Sequence, residues 1–413
     1  MARWRLIFTE HKERMMIGAL LCSFFAPLWG VGYVLPFLLI LAALLFSDLR
    51  LFAEKTGRLL KKNPVLFVVF FLFLCLVLLS SVYHSDSKWG STEGFWVVLS
   101  AFLFFFLGAH AGSLKGAQYN TTLVKGLFFI GFTFVVLTTL KKNWFNGGVW
   151  GSMNDLTTAV LMATGGMAGL FLGDTRRGKD LLGVFLLLPF FAFAFYFSLR
   201  ISTSDAALIL LVGLFFFLAV LVPDWRAFSV TWGFFLLIVT AGIFLMIYSE
   251  PLNFKALLST RKLESFLSFR PQGWLASLSL IRENPWIGIG SGLYKQFYEA
   301  LLPLLPGKSV VLAHSHCLYL VHFVAHGTAA GIAFITLVVL NLRLVLSSLR
   351  KKDAVPFALM VAGIWFFALT YGLVELTPAS REIVPLVWGS SGLLAGFVSR
   401  DEALVSPVET SGN

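Results

Sequence analysis

Four of the chain's seven histidines, His314, His316, His322 and His326, fall within thirteen residues. The run Ala313-His-Ser-His-Cys-Leu-Tyr319 is polar and opens directly into an apolar helix. Clustered imidazoles suggest metal binding or proton transfer. A zinc reading needs further Cys or Asp partners, or the spacing of a metalloprotease helix, and the surrounding sequence supplies neither. An imidazole at the mouth of a span suits general-base work instead, because histidine ordinarily titrates near neutrality. His322 and His326 fall nearly two and three turns deeper and read as packing or internally hydrogen-bonded groups.

The segment before these histidines, 249–313, is the longest non-spanning stretch. It carries seven Lys or Arg residues, among them Arg270 and Arg282, against Glu250, Glu264, Glu283 and Glu299. A net basic loop over a membrane protein fits an anion-binding cap or an ordinary solvated surface equally well. Within it, Trp274, Leu275, Leu278 and Ile281 recur at helical spacing, which predicts an amphipathic helix between Arg270 and Arg282. Asn284-Pro-Trp-Ile-Gly-Ile-Gly-Ser-Gly292 then stops that helix. Its alternating Gly288, Gly290 and Gly292 allow either a sharp turn or close backbone approach to a ligand. Other ionisable residues at a predicted outer boundary are Arg200, Asp205, Glu375 and Arg381. Such groups are costly near a bilayer unless paired or hydrated, and Arg200 and Asp205 either pair with each other or serve the site.

The elements that must position these residues are membrane helices. Apolar and aromatic residues make up 58% of the 413 positions, only 13% are charged, and the mean hydropathy is +0.85. A soluble chain carries about 25% charged residues. Charge-free runs such as 64–82 and 228–248 are continuously apolar and do not alternate, so helices are expected and a barrel is excluded. Runs of about 20 residues recur from end to end. They predict an all-α polytopic protein with about 12 transmembrane helices and a long periplasmic loop between helices 9 and 10.

The expected layout is helices 1–9 over 1–248, a periplasmic loop with amphipathic helical segments over 249–313, helices 10–12 over 314–400, and a cytoplasmic tail over 401–413. The stretch 15–46 reads as two spans joined at Pro27 to Pro36, and the tenth span runs unusually long, from near 314 to 345. The formal net charge of +11 would suggest nucleic acid in a soluble protein. Here the basic residues cluster before the first span, between the second and third, around Arg176 and Arg177, and at Arg350 to Lys352. If each cluster is cytoplasmic, the positive-inside bias accounts for the excess, no nucleic-acid partner is implied, and both termini lie inside. The loop at 249–313 then faces the periplasm. Cys22, Cys75 and Cys317 lie in or beside apolar segments and imply no disulfide framework. No cleavable signal sequence is evident, since the first apolar stretch becomes the first hairpin.

With those residues in hand, the chain resembles the bacterial O-antigen ligase and Wzy-type O-antigen polymerase superfamily. The shared pattern is an Arg four positions before a Trp, an Asn-Pro, a Gly-x-Gly-x-Gly-like segment, and a His that starts an outer helix ending in glycines. It is met by Arg270 and Trp274, Asn284-Pro285, Gly288, Gly290 and Gly292, His316 to Leu320, and Gly327 with Gly331. Two departures stand out. Cys317 occupies a position where the family commonly has Asn, and Ser204-Asp205-Ala206 stands where it usually has Ser-Arg-Gly.

The resemblance implies glycan transfer from an undecaprenyl-diphosphate donor in the bacterial inner membrane, with neither a nucleotide sugar, a metal nor any other cofactor. For a ligase the acceptor is a sugar hydroxyl of lipid A-core; for a polymerase it is the growing lipid-linked glycan. It assigns the donor diphosphate to Arg270 and Arg200, with Arg282 as a further contributor, and makes His316 the base that activates the acceptor for inverting attack. His314 and Asp205 are candidates to orient the acceptor, and Trp274, Gly288, Gly290 and Gly292 support the loop. The ligase reading is preferred for overall length and a simple outer loop. A polyprenyl-linked glycan transporter or flippase is the alternative from another class, with no half-to-half repeat in the sequence to support it.

Overall fold

The computed structural model describes residues 57–84, 93–113, 124–126, 153–175, 191–194, 196, 210–211, 213–214, 217–218, 220–221, 270–304, 311–373 and 383–399. Among these residues the regular structure is helical throughout. The named helices are α1 (Pro64–Tyr83), α2 (Glu93–Ser113), α3 (Met153–Thr175), α4 (Arg270–Glu283), α5 (Tyr294–Leu301), α6 (Leu318–His326), α7 (Thr328–Ser348), α8 (Val355–Tyr371) and α9 (Val384–Val398). A 3-10 turn, Leu302–Leu304, extends α5. The all-α expectation holds.

The expectation of about 12 transmembrane helices does not. Among the described residues three helices are long and apolar enough to cross a membrane: Pro64–Tyr83, Gly94–Ser113 and Thr328–Ser348. The physical reason is that an apolar run equals a span only when it folds as one helix of sufficient rise. The run from 314 to 345 is divided at Gly327 into the 9-residue α6 and the 21-residue α7. The eleventh and twelfth expected spans form helices of 17 and 15 residues. At 1.5 Å per residue these rise about 25 and 22 Å, short of the roughly 30 Å of hydrocarbon. The spans expected over 15–46 and 228–248 lie outside the described residues, as does nearly all of that over 122–140.

Small residues set how closely the apolar helices pack. α2 lies along α9, and α3 along α8. A Cβ on Gly112 or Gly396 would fall onto a carbonyl of the facing helix, Leu393 and Ala109 respectively, and one on Gly169 would meet the Leu359 carbonyl. This is the close backbone approach that favours helix association where lipid removes the hydrophobic drive. Filling it with a side chain should cost about 1–3 kcal/mol. Gly169→Leu is therefore expected to lower the thermal unfolding midpoint in detergent, measured by loss of the monodisperse chromatographic peak on heating. Between the helices, Phe70 packs at 4.8 Å on Trp388, which meets Trp365 edge-on at 5.3 Å. The Trp365 indole N–H is satisfied by the Ser391 hydroxyl at 2.7 Å.

The bundle has two chemically distinct ends. One holds Lys62, whose ammonium donates to the Ser399 carbonyl just beyond α9, and the Arg350-Lys-Lys352 turn that follows α7. The other holds the end of α1, the start of α2 near His326, and the start of α7 at Gly327. The segment bearing α4 and α5 folds over this second end. It has its own small core of Ala276, Leu280, Ile289, Tyr294, Tyr298 and Leu312, joined to the bundle by Val324 of α6.

Candidate active site

α4 begins at Arg270, which is half-buried, and buries Gly273, Ala276, Ser277 and Leu280. The packed face is thus the small-residue face. Leu275 and Leu278, part of the apolar stripe read from the sequence, are instead 49% and 55% exposed, an arrangement suited to an interfacial helix. Gly273, in the first turn, is where α4 comes near the histidine segment. A Cβ there would press on Leu312 at 2.8 Å and touch the Ser315 carbonyl at 3.5 Å. The carbonyl of Gly273 accepts from the Tyr294 hydroxyl at 2.8 Å and the Ser277 hydroxyl at 2.7 Å. Burial pushes the Tyr294 phenol up to about 12, against the opposing effect of its Ser277 contact, so the hydroxyl keeps its proton and remains a donor.

Within one residue of that contact stand His314 and His316, both half-buried, with ring centroids 4.1 Å apart. Among the described residues His316 is the one non-glycine with a left-handed backbone, at φ 47°. Such a conformation costs about 1–3 kcal/mol and persists where surroundings enforce it, commonly at functional positions. The enforcement is visible on both sides. Ser315 is buried and its hydroxyl donates to the Cys317 carbonyl at 3.1 Å. The Leu318 N–H, at the first turn of α6, donates to the Gly372 carbonyl at 2.7 Å. Cys317 sits extended and buried at the N-cap of α6, where it makes no side-chain capping bond.

The glycine-rich loop joins the two halves of the site. Gly327 adopts φ 88° and ψ 172°, a conformation open essentially to glycine, and this ends α6 and starts α7. The break would strand carbonyls of α6 and amides of α7. The loop supplies their partners: Ile289 N–H and Gly290 N–H donate to the Val324 and Ala325 carbonyls at 2.9 and 3.0 Å, and the Pro285 carbonyl accepts from Thr328 N–H at 2.8 Å. A Cβ at Gly288 would strike the Ala325 backbone, and one at Gly290 the His84 ring. The glycines thus permit backbone-to-backbone contact at a helix break.

Ser80 and His84, from the end of α1, hold this junction and carried no recognisable motif in the sequence. The Ser80 hydroxyl lies 2.9 Å from the Ile287 carbonyl and 3.1 Å from that of Ala325, and His84 Nε2–H donates to the Gly288 carbonyl at 3.1 Å. Ser80 therefore touches both the loop that continues from α4 and the helix that follows His316. Ser80→Ala should destabilise the fold by about 0.5–1.5 kcal/mol. The expected result is a lower unfolding midpoint together with faster amide exchange at Gly290, read by hydrogen-exchange mass spectrometry.

The four clustered histidines separate into two pairs. His314 and His316 lie at the mouth of α6, while His322 and His326 are buried along it with ring centroids 5.9 Å apart. His326 Nε2 lies 3.4 Å from the Ser291 hydroxyl. Of the basic residues, α4 carries Arg270 at the end that meets the histidine segment and Arg282 in its last turn, exposed. Twelve residues of helix place them about 18 Å apart along the axis, so the end of α4 that nears the histidine segment carries Arg270 and not Arg282. Trp274 is half-buried in α4, and its indole N–H is buried with no hydrogen-bond partner among the described residues. Arg200, Asp205, Glu375 and Arg381 lie outside the described residues.

Residues 190–335 match the O-antigen ligase family. That match takes in Arg270, the glycine-rich loop and His316, and ends within α7. A comparison with curated proteins returns no match. Among the described residues, three helices apolar and long enough to span a bilayer mark a membrane-associated protein.

Proposed function

We propose that this protein is an O-antigen ligase that transfers glycan from an undecaprenyl-diphosphate donor to a sugar hydroxyl of lipid A-core by metal-independent, inverting displacement. The observation that carries the reading is the approach of the α4 N-terminal turn to the segment bearing His316, made at Gly273 and the Ser315 carbonyl. Arg270 lies three residues before Gly273 and His316 one after Ser315, although 45 residues separate Arg270 from Ser315 in the chain.

The chemistry needs those two groups. The acceptor oxygen attacks the anomeric carbon as the bond from that carbon to the diphosphate oxygen breaks, and the electron pair leaves with the lipid diphosphate. His316 takes the hydroxyl proton. Arg270 holds the diphosphate oxygens and offsets the charge that grows on them, as a planar guanidinium can do through paired hydrogen bonds. Its place in the first turn of α4 adds the partial positive charge of a helix N-terminus. His314, whose ring is tilted against that of His316, orients the base or the acceptor. The site faces the periplasm of the inner membrane, a reading supported by its position at the end of the bundle opposite Lys62 and Arg350 to Lys352.

The cellular test is the lipopolysaccharide of a strain lacking this protein. A ligase leaves lipid A-core bare while long lipid-linked chains accumulate, and complementation restores the ladder. Lipid A-core capped by single repeats would contradict ligation and indicate polymerisation.

A further inference from the structure

The transfer reaction does not use the opposite end of α1. There a groove of about 510 Å³ runs between α1 and α2, walled by Phe67, Val68, Phe71 and Leu72 from one helix and Phe102 and Phe106 from the other. Leu60 and Cys75 mark its two ends. Val68 and Phe71 are 65% and 60% exposed, and the Cys75 thiol is exposed too, so the groove opens outward along an apolar helix face. This face leads into a cationic rim. Arg58, Lys61 and Lys62 are all exposed just before α1, beside Leu60. Lys61 adjoins Leu60, which lines the groove, and is separated from the α1 wall by the non-helical Asn63 at the helix N-cap. The Arg350-Lys-Lys352 turn and Asp353 lie at this end of the bundle as well.

An apolar trough that ends in clustered cations is complementary to an amphiphile with a hydrocarbon chain and an anionic head. We propose that this groove is a binding site for an anionic phospholipid, with an acyl chain along the Phe67 to Leu72 wall and its phosphate against Arg58 and Lys61. The rim selects the charge and the trough fixes the chain, so the site discriminates against zwitterionic lipids that fill the trough equally well. The polyprenyl-diphosphate donor is not the occupant, because Arg270 and His316 lie at the other end of the bundle. The site stands apart from the proposed transfer reaction and does not depend on it.

Native mass spectrometry of the full-length protein, released from nanodiscs of equal dioleoylphosphatidylglycerol and dioleoylphosphatidylcholine, measures the preference. Retention of phosphatidylglycerol should exceed that of phosphatidylcholine about thirtyfold, as two basic side chains near a surface imply. The double variant Arg58→Gln, Lys61→Gln should bring the ratio near unity. Val68→Trp, which fills the trough and leaves the cations, should reduce retention of both lipids. Maleimide labelling at Cys75, read on its own peptide, should slow several-fold when phosphatidylglycerol is added and remain unchanged with phosphatidylcholine. Matching unfolding midpoints establish that the variants are folded. Equal retention of the two lipids by the wild type, or a preference that survives the double variant, overturns the proposal. Displacement of phosphatidylglycerol by equimolar undecaprenyl phosphate overturns it in favour of the carrier lipid.

Discussion

His316→Asn is expected to reduce glycan transfer by at least about 10²-fold while leaving a folded protein, the lower bound for removing a positioned general base. The choice of asparagine follows from the backbone. His316 holds a left-handed φ of 47°, which Asn tolerates far better than most side chains, whereas Ala would combine loss of the base with added strain. The hydroxyl of a sugar is a poor nucleophile until its proton has an acceptor, so the loss should appear in the rate of transfer and not in donor binding. Purified variant and wild type, compared for donor affinity and for single-turnover transfer, separate the two. Equal transfer rates would remove His316 from the mechanism.

Arg270→Ala should weaken donor binding and slow transfer together, by about 10² to 10³ in overall efficiency, the range seen when one donor to a developing anion is removed. Arg270→Lys should recover little of that, because an ammonium cannot present two parallel N–H groups to a diphosphate. Arg282→Ala is the informative control. It lies at the far end of α4, about 18 Å from Arg270, and should transfer at close to the wild-type rate. A matching defect in both alanine variants would point to general electrostatic attraction by a basic loop and away from a clamp at the α4 N-terminus.

The residues with distinctive chemistry were legible in the sequence, whereas the contacts that hold them were not. Arg270, Trp274, the three loop glycines and His316 stand out by type and spacing, and a helix between Arg270 and Arg282 follows from periodicity. Its packed face did not follow, since burial fell on Gly273, Ala276, Ser277 and Leu280 and left two leucines exposed. Ser80 and His84 gave no signal at all, because a serine within an apolar helix is ordinary until its carbonyl partners more than 200 residues away are known.

The span count failed for a related reason. Between Leu318 and Ser348 the sequence is nearly continuously apolar, so hydropathy reads through Gly327 even though the family pattern ends a helix there. Only the loop's donors and acceptors make the break affordable, and they arrive from a distant part of the chain. The apolar runs after Pro356 and Leu386 likewise read as spans by composition, yet their helices end after 17 and 15 residues. Hydropathy reports where apolar residues are. It does not report how many of them one helix uses.

Reconstituted transfer with defined substrates bears most directly on the central claim. The purified protein is given an undecaprenyl-diphosphate-linked O-antigen glycan and lipid A-core in proteoliposomes with chelator present, and the anomeric configuration of the product is determined. The account predicts a glycosylated lipid A-core of inverted configuration, formed without added metal and lost in His316→Asn. Retained configuration, undiminished product from His316→Asn, or extension of the lipid-linked glycan in place of lipid A-core would contradict it.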